Sequence, residues 1–326
     1  MAESHVPNAE ATPGWREHKF PRINFLEAIK TTPIEGFDGC RYAGNVPIAW
    51  CSGGQLPALG GYLTAALMTA ARQFSSSRFP EMSEHDPLSI YVEFLQPVPQ
   101  GPFHVALKVL QRGISQSTIQ AEIVASDPHQ KHIYAHATIR MGSLKERRAT
   151  IDGAIEQIKI PVPDRIKDCG RWVDAFFYYV NPPSAAIRCY TPNDGPNPLW
   201  SPAFGGRNVR YMWDKLDDGG TFELEHLALI TDSIPPLPLN YEENALKAIT
   251  KYQMPTTSLK LDFRVDVRGQ EWLLTHTHMR WLSNGRFDES IEIIDDAGNI
   301  VATAHQACKI WPARRPDQEA RTNGRL

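Results

Sequence analysis

The most regular stretch of the chain is Leu259–Val267. Leu259, Leu261, Phe263, Val265 and Val267 alternate there with Lys260, Asp262, Arg264 and Asp266. A period of two sends these sets to opposite faces of a strand, so one sheet face is buried and the other wet. The runs "EWLLTHTHMRW", "FDESIEIIDDAGN" and "IVATAHQACKIW" read as further strands, with "DDAGN" supplying a hairpin turn. Upstream, Leu224, Leu227, Ala228 and Ile230 recur at helical spacing, and Pro235 and Pro236 stop that helix just after Asp232.

The first part of the chain repeats this order. Gly60 and Gly61 lead into the Ala/Leu-rich helical pattern "LGGYLTAALMTAARQF". Strand-like runs follow in "PLSIYVEFLQPVP", "FHVALKVLQRGISQSTIQAEIVAS" and "HIYAHATIRMG". Phe94 answers Phe263, Gly113 answers Gly285, and Ile133 answers Ile300. One long helix followed by an antiparallel meander, twice over, predicts an α+β fold of two like units. The expected divisions are 1–150 for an N-terminal unit, 151–218 for an irregular connecting insert on the surface, and 219–326 for a C-terminal unit with a charged, disordered tail after Trp311.

Composition narrows the partners. The 326 residues are 42% hydrophobic with a formal net charge of −3, so no nucleic-acid partner and no attraction to an anionic membrane is expected. No apolar run is long enough to cross a bilayer. The five cysteines are scattered and read as free thiols of a reducing compartment. "MAESHVPNAEATPGWREHKF" has no apolar core, so a soluble intracellular protein is expected. The ending "RTNGRL" is a loose variant of the peroxisomal Ser-Lys-Leu tripeptide, leaving the peroxisomal matrix or the cytoplasm as expected locations.

Candidate chemistry is sparse. Asp232 falls at a helix C-terminus, the negative end of the dipole. It is either a solvated helix-end acid or a carboxylate held for use as a general base. Gln306 shares a strand face with Ala302, Ala304 and Cys308, small side chains that leave room for a ligand. His276 and His278 share a face at metal-ligand spacing. No third ligand stands at a matching spacing nearby, so neither zinc nor another cofactor is expected. The GxSxG pattern fails at Ser117, and neither GxGxxG nor a Walker loop occurs.

In order and spacing, "GGYLTAAL" and "FLQP", then "LITDS", "TTSLKLDF", "WLL" and "NGRFDESIEIIDDAGNIVATAHQ" resemble the type II (TesB-like) acyl-CoA thioesterases, which carry a double hot-dog fold in one chain. The resemblance covers roughly 53–142 and 222–311. It implies an acyl-CoA hydrolase that releases a free acid and a thiol by activated water, with lipid or fatty-acid metabolism as its setting. Asp232 matches the family's helix-borne Asp, Gln306 its late-strand Gln, and Thr256 its Thr before a strand, with Thr257 one position away and left open. These three are expected to face one another with one water between them. The first half offers only Thr138 or Ile139 at the position of Gln306 and no Asp on its helix, so one site per chain, built on the second half, is implied.

The paired glycines Gly60 and Gly61 suit a helix start approached closely by a ligand, which makes them substrate-binding candidates whose N–H groups would hold the thioester oxygen; a tight turn is the other reading. Arg286, with Arg112, Arg264, Arg268 and Arg280, is a candidate for coenzyme A phosphates, or a solvated sheet-edge residue. Two alternatives stand beside the hydrolase. One is a hydratase or dehydratase of the same superfamily, although no His follows Asp232 in its helix. The other is a non-catalytic binder of polyketide or other secondary-metabolite thioesters. A homo-oligomer is left open.

Overall fold

From Ser117 to Ala125 every second residue is buried and those between are half-buried, as a strand with its core on one face requires. Among the described residues, strands of this kind build one 14-stranded sheet, 13 strands in a single path and the short Leu282–Ser283 paired to one of them. The computed structural model describes residues 23–52, 57–145, 162–195, 199–242 and 249–313. The tail beyond 313, with the terminal Gly-Arg-Leu, lies outside the described residues. Among the described residues no helix is long and apolar enough to cross a membrane, and all five cysteines are free.

The sheet runs through two mirrored halves. From one edge the first half contributes Thr32–Pro33, Arg41–Val46, Gly101–Arg112, Ser117–Ala125, Ile133–Gly142 and Asp86–Phe94. Asp86–Phe94 then pairs antiparallel with Thr256–Phe263, placing Val92 opposite Leu259 and Ile90 opposite Leu261. The second half continues outward through Ile300–Lys309, Arg286–Ile294, Leu273–His278, Val209–Leu216, Ile187–Pro192 and Cys169–Trp172. Two fused hot-dog units therefore share one continuous sheet, each with its own helix.

The expectation of an irregular insert over 151–218 is corrected by this order. Cys169–Trp172, Ile187–Pro192 and Val209–Leu216 are sheet strands, and Met212 and Leu216 lie in the main core. Val209–Leu216 holds the same place before its helix as Arg41–Val46 does in the first half. Its sequence hides this. Both faces are covered, so Arg210 and Asp214 are buried beside Met212 and Trp213 and no alternation of polarity survives.

The helix Gly60–Arg78 is enclosed on most sides: Ala65, Ala66, Leu67, Met68, Ala70 and Ala71 are fully buried. It packs against the second-half helix Leu224–Asp232. Contact is close at Gly61, where an added Cβ would stand 2.2 Å from the Ala228 carbonyl oxygen. Only hydrogen fits. Gly61→Ala is therefore expected to push the helices apart and to destabilise the protein by about 1–3 kcal/mol, the usual range for overpacking. Urea unfolding would measure this, and a parent-like midpoint would show that the helix pair yields without cost.

Candidate active site

Asp232 is the last residue of its helix, and its carboxylate points at the start of the other. Gly61 N–H donates to Asp232 Oδ2 at 2.7 Å, and Gly60 N–H also faces the carboxylate. The first N–H groups of a helix have no partner within it and carry the positive end of its dipole. An acid that is unfavourable at the end of its own helix is thus held by the beginning of its neighbour.

The other carboxylate oxygen belongs to the sheet. Thr256 Oγ1 donates to Asp232 Oδ1 at 3.1 Å and also lies 3.4 Å from Gln306 Oε1. Gln306 Nε2 donates to the Thr231 carbonyl at 2.7 Å and approaches Asp232 Oδ1 at 3.5 Å. Gln306 is buried, while Asp232 keeps a partly exposed rim. Burial pushes the Asp232 carboxyl up to about 6, against the downward pull of Gly61, Thr256, Gly60 and Gln306. It is ionised at neutral pH yet more basic than an ordinary aspartate, as general-base work requires.

The structure brings Asp232, Thr256 and Gln306 together by direct contact, where one intervening water was expected. It also separates Thr256 from Thr257. Regular alternation from Leu259 and Leu261 would turn Thr257 inward. The pairing register shifts between Thr256 and Ser258 instead; Thr256 then reaches Asp232, and Thr257 Oγ1 bonds the Ala307 carbonyl at 2.8 Å. Bulges re-aim side chains in this way beside functional sites.

Three expectations change. Gly61 N–H is engaged by Asp232, so the two glycines form the cradle of the acid and not a free oxyanion site. They come from the first half, so the constellation spans both halves instead of resting on the second alone. Glu292, on the strand beside His276 and His278, places a ligand atom within 4.8 Å of theirs, a third candidate ligand that linear spacing could not reveal. Arg286 is exposed at a strand end, its guanidinium 5.6 Å from the Trp281 ring centre.

A mainly apolar cavity of about 230 Å³ opens along the Leu224–Asp232 helix, lined by Phe25, Trp50, Pro182, Pro183, Leu216 and Leu229 together with Asn24, Asp217, Asp218 and His226; Asp232, Thr256 and Gln306 are not among its walls. Its walls are joined to the site on both sides. The Trp50 carbonyl accepts Leu59 N–H, immediately before Gly60. Asn181 and Ser184, which flank the two prolines, donate to the Ser233 carbonyl, immediately after Asp232.

A large antiparallel sheet curled on two central helices, with a hydrogen-bonded Asp, Thr and Gln between the halves, defines a double hot-dog protein with a polar site and an apolar recess. Residues 46–142 match the acyl-CoA thioesterase N-terminal domain and residues 165–310 the acyl-CoA thioesterase C-terminal domain. Together these matches cover well over half of the chain, which belongs to the acyl-CoA thioesterase family and is an acyl-CoA thioester hydrolase. No curated protein matches its sequence. Among solved structures it is similar to a candidate thioesterase II from Thermobifida fusca YX (TM-score 0.67, 20% identity, 90% of this chain and 99% of that one). It is also similar to a hot-dog-fold protein from Alicyclobacillus acidocaldarius (0.65, 17%, 90% and 100%). A third is an acyl-CoA thioesterase II from Mycobacterium marinum (0.60, 15%, 89% and 99%). At these identities the likeness is one of fold.

Two buried charges that sequence reading missed fix the turn after Asp232. Glu289 Oε1 accepts Leu237 N–H at 2.6 Å and sits on the strand position opposite Gln306. Arg210 donates to the Pro235 and Leu199 carbonyls and to Asn240 Oδ1. Burial pushes the Glu289 carboxyl up to about 7, with Leu237 N–H and the Arg210 charge opposing it. Arg210 lies outside the two repeats and so looked like part of the insert. Glu289→Ala would orphan Leu237 N–H and leave Arg210 without its nearby countercharge, so a loss of about 3 kcal/mol is expected in urea unfolding. Glu289→Gln keeps an acceptor for that N–H and should lose less; equal losses would mean that the amide bond carries none of the effect.

Proposed function

We propose that Asp232 is the general base of the thioester hydrolysis. Its support is a single arrangement: a partly exposed carboxylate raised by burial to about 6 against the hydrogen bonds of Gly61, Thr256, Gly60 and Gln306, on the helix whose Leu229 lines an apolar recess. A water between Asp232 and the thioester gives one proton to the carboxylate as its oxygen adds to the carbonyl carbon. The carbonyl π electrons move onto oxygen. As they return, the carbon–sulfur bond breaks, and the coenzyme A sulfur leaves with the proton held by Asp232. The products are a free acid and a thiol. Thr256 Oγ1 and Gln306 Oε1 are the acceptors placed to orient that water, since Gln306 Nε2 is tied to Thr231.

The recess supports an acyl group that is apolar and short, because about 230 Å³ is below the usual size of a ligand pocket. That favours a role in lipid metabolism. Coenzyme A phosphates are assigned to the rim where Arg286 lies directly opposite Lys309. Like charges facing each other across strands repel, and an anion between them relieves this. Lys309 is three residues beyond Gln306, about 10 Å along the strand and on its opposite face, so coenzyme A would reach this rim around the strand end. A thiol-release assay over acyl-CoAs of graded length should show a maximum at short chains; a rate that keeps rising with length would refute the recess as acyl site.

A dehydratase reading has a structural neighbour, the dehydratase domain of RzxB from Pseudomonas fluorescens, at TM-score 0.53 and 11% identity. The histidine of the Asp-bearing helix argues against it. His226 Nδ1 accepts Glu223 N–H in a capping box, and its ring lies against Phe25 and Phe222. Burial holds it down to about 4, as a neutral helix cap.

Asp232→Asn keeps the shape and removes the base, so kcat should fall by roughly 10²–10⁴-fold. In the parent, kcat should rise with pH through about 6 as Asp232 ionises. Stability should run the other way. The folded-state pKa lies above the ordinary 3.8, so ionising Asp232 weakens the fold as pH climbs from about 4 to 6. Above that range Asp232→Asn should be the more stable protein, by at most about 3 kcal/mol given the partly exposed rim, and below pH ~4 the difference should vanish. A variant that hydrolyses acyl-CoA like the parent would reduce Asp232 to a helix-end residue.

A further inference from the structure

Alternation along Leu273–His278 turns Leu273, Thr275 and Thr277 into the core and leaves His276 and His278 half-buried on the outer face. Antiparallel pairing sets Glu292 directly opposite His276 and Ser290 opposite His278. The three candidate ligand atoms of His276, His278 and Glu292 lie within 4.8 Å of one another. His276 Nδ1 is 2.7 Å from Glu292 Oε2, and Tyr211 stacks on the His276 ring at 4.4 Å, which fixes its plane.

His278 is the informative member. Both of its ring nitrogens are closed off from solvent, and neither has a hydrogen-bond partner among the described residues. A neutral imidazole carries one donor and one acceptor. Leaving both unmet is costly, and buried polar groups in folded proteins are almost always satisfied by protein, ordered water or an ion. An imidazole aligned beside a second imidazole and a carboxylate has a ready partner of the last kind.

We infer that His276, His278 and Glu292 form a binding site for a divalent transition-metal ion of the zinc type. Two imidazoles and one carboxylate suit zinc, whereas calcium and magnesium favour all-oxygen shells. Bonds of about 2.0–2.1 Å in a tetrahedron set donors about 3.3 Å apart. The pairs now farther apart close by side-chain rotation, while the His276–Glu292 contact opens slightly to admit the ion. A solvent water takes the fourth position. The site is distinct from the catalytic one. Glu292 and Glu289 have opposite parity on one strand, so the ion lies across the sheet from Gln306. There it clips Leu273–His278 to Arg286–Ile294, making metal affinity a contribution to the stability of the second unit.

The test uses the full chain, stripped with a chelator, desalted, and titrated with zinc chloride or cobalt chloride. A single zinc ion per chain should bind at micromolar concentration and raise Tm by a few degrees, and cobalt should give the visible bands of a tetrahedral site. His278→Ala and Glu292→Gln should each weaken binding at least ~10-fold and abolish the rise in Tm, with acyl-CoA hydrolysis unchanged as the control for folding. Should one variant misfold, the other and the cobalt spectrum of the parent still decide. Absence of stoichiometric zinc binding by the parent, or parent-like binding by a folded variant, overturns the proposal.

Discussion

The hydrogen bond from Gly61 N–H to Asp232 Oδ2 is the contact on which the arrangement depends. It joins the end of one helix to the beginning of the other and the first half of the chain to the second. At the end of its own helix alone, the carboxylate would meet unfavourable dipole and burial terms together. The start of the neighbouring helix reverses the first and leaves the second. The balance is a carboxyl raised to about 6. Gly61 is required because the N–H reaches the acid only where the helices approach too closely for a side chain. Neither unit alone could hold this group.

The two units are alike in fold and unlike in chemistry. Counted from each helix start, the position of Asp232 corresponds to Met68, which is fully buried, and that of Gly61 to Glu225. At the far end of the helix pair Glu225 meets Arg72 at 3.0 Å instead of offering a bare helix start. One end of the pseudo-dimer presents an acid to free N–H groups, and the other closes with an ion pair. Among the described residues the Asp232 arrangement has no counterpart at that second end.

Periodicity sufficed for the repeat because the sheet's inner and outer faces differ in polarity, as along Ser117–Ala125. It failed over Val209–Leu216, where both faces are covered and the charged Arg210 and Asp214 are buried. Of the site, Asp232, Thr256 and Gln306 were legible through resemblance. The choice of Thr256 over Thr257 rests on a register shift that alternation cannot announce. Likewise, the use of Gly61 by Asp232 spans 171 residues of chain, and no local pattern encodes a contact of that range. Glu289 reads in sequence as one more acid of "FDESIEII"; only pairing opposite Gln306 gives it meaning.

Strand parity then divides the work of the second unit. Along Arg286–Ile294 the odd-numbered residues Phe287, Glu289, Ile291 and Ile293 turn inward, and Asp288, Ser290 and Glu292 turn outward. Inward, Glu289 holds the turn that ends the Asp232 helix. Outward, Glu292 meets His276. A slip of one residue would exchange these faces, placing Asp288 or Ser290 where Glu289 accepts Leu237 N–H and removing Glu289 from the core. Register is therefore under strong constraint from both sides of the sheet. The inner constraint bears on the candidate site: Glu289 and Arg210 secure the prolines that follow the Asp232 helix.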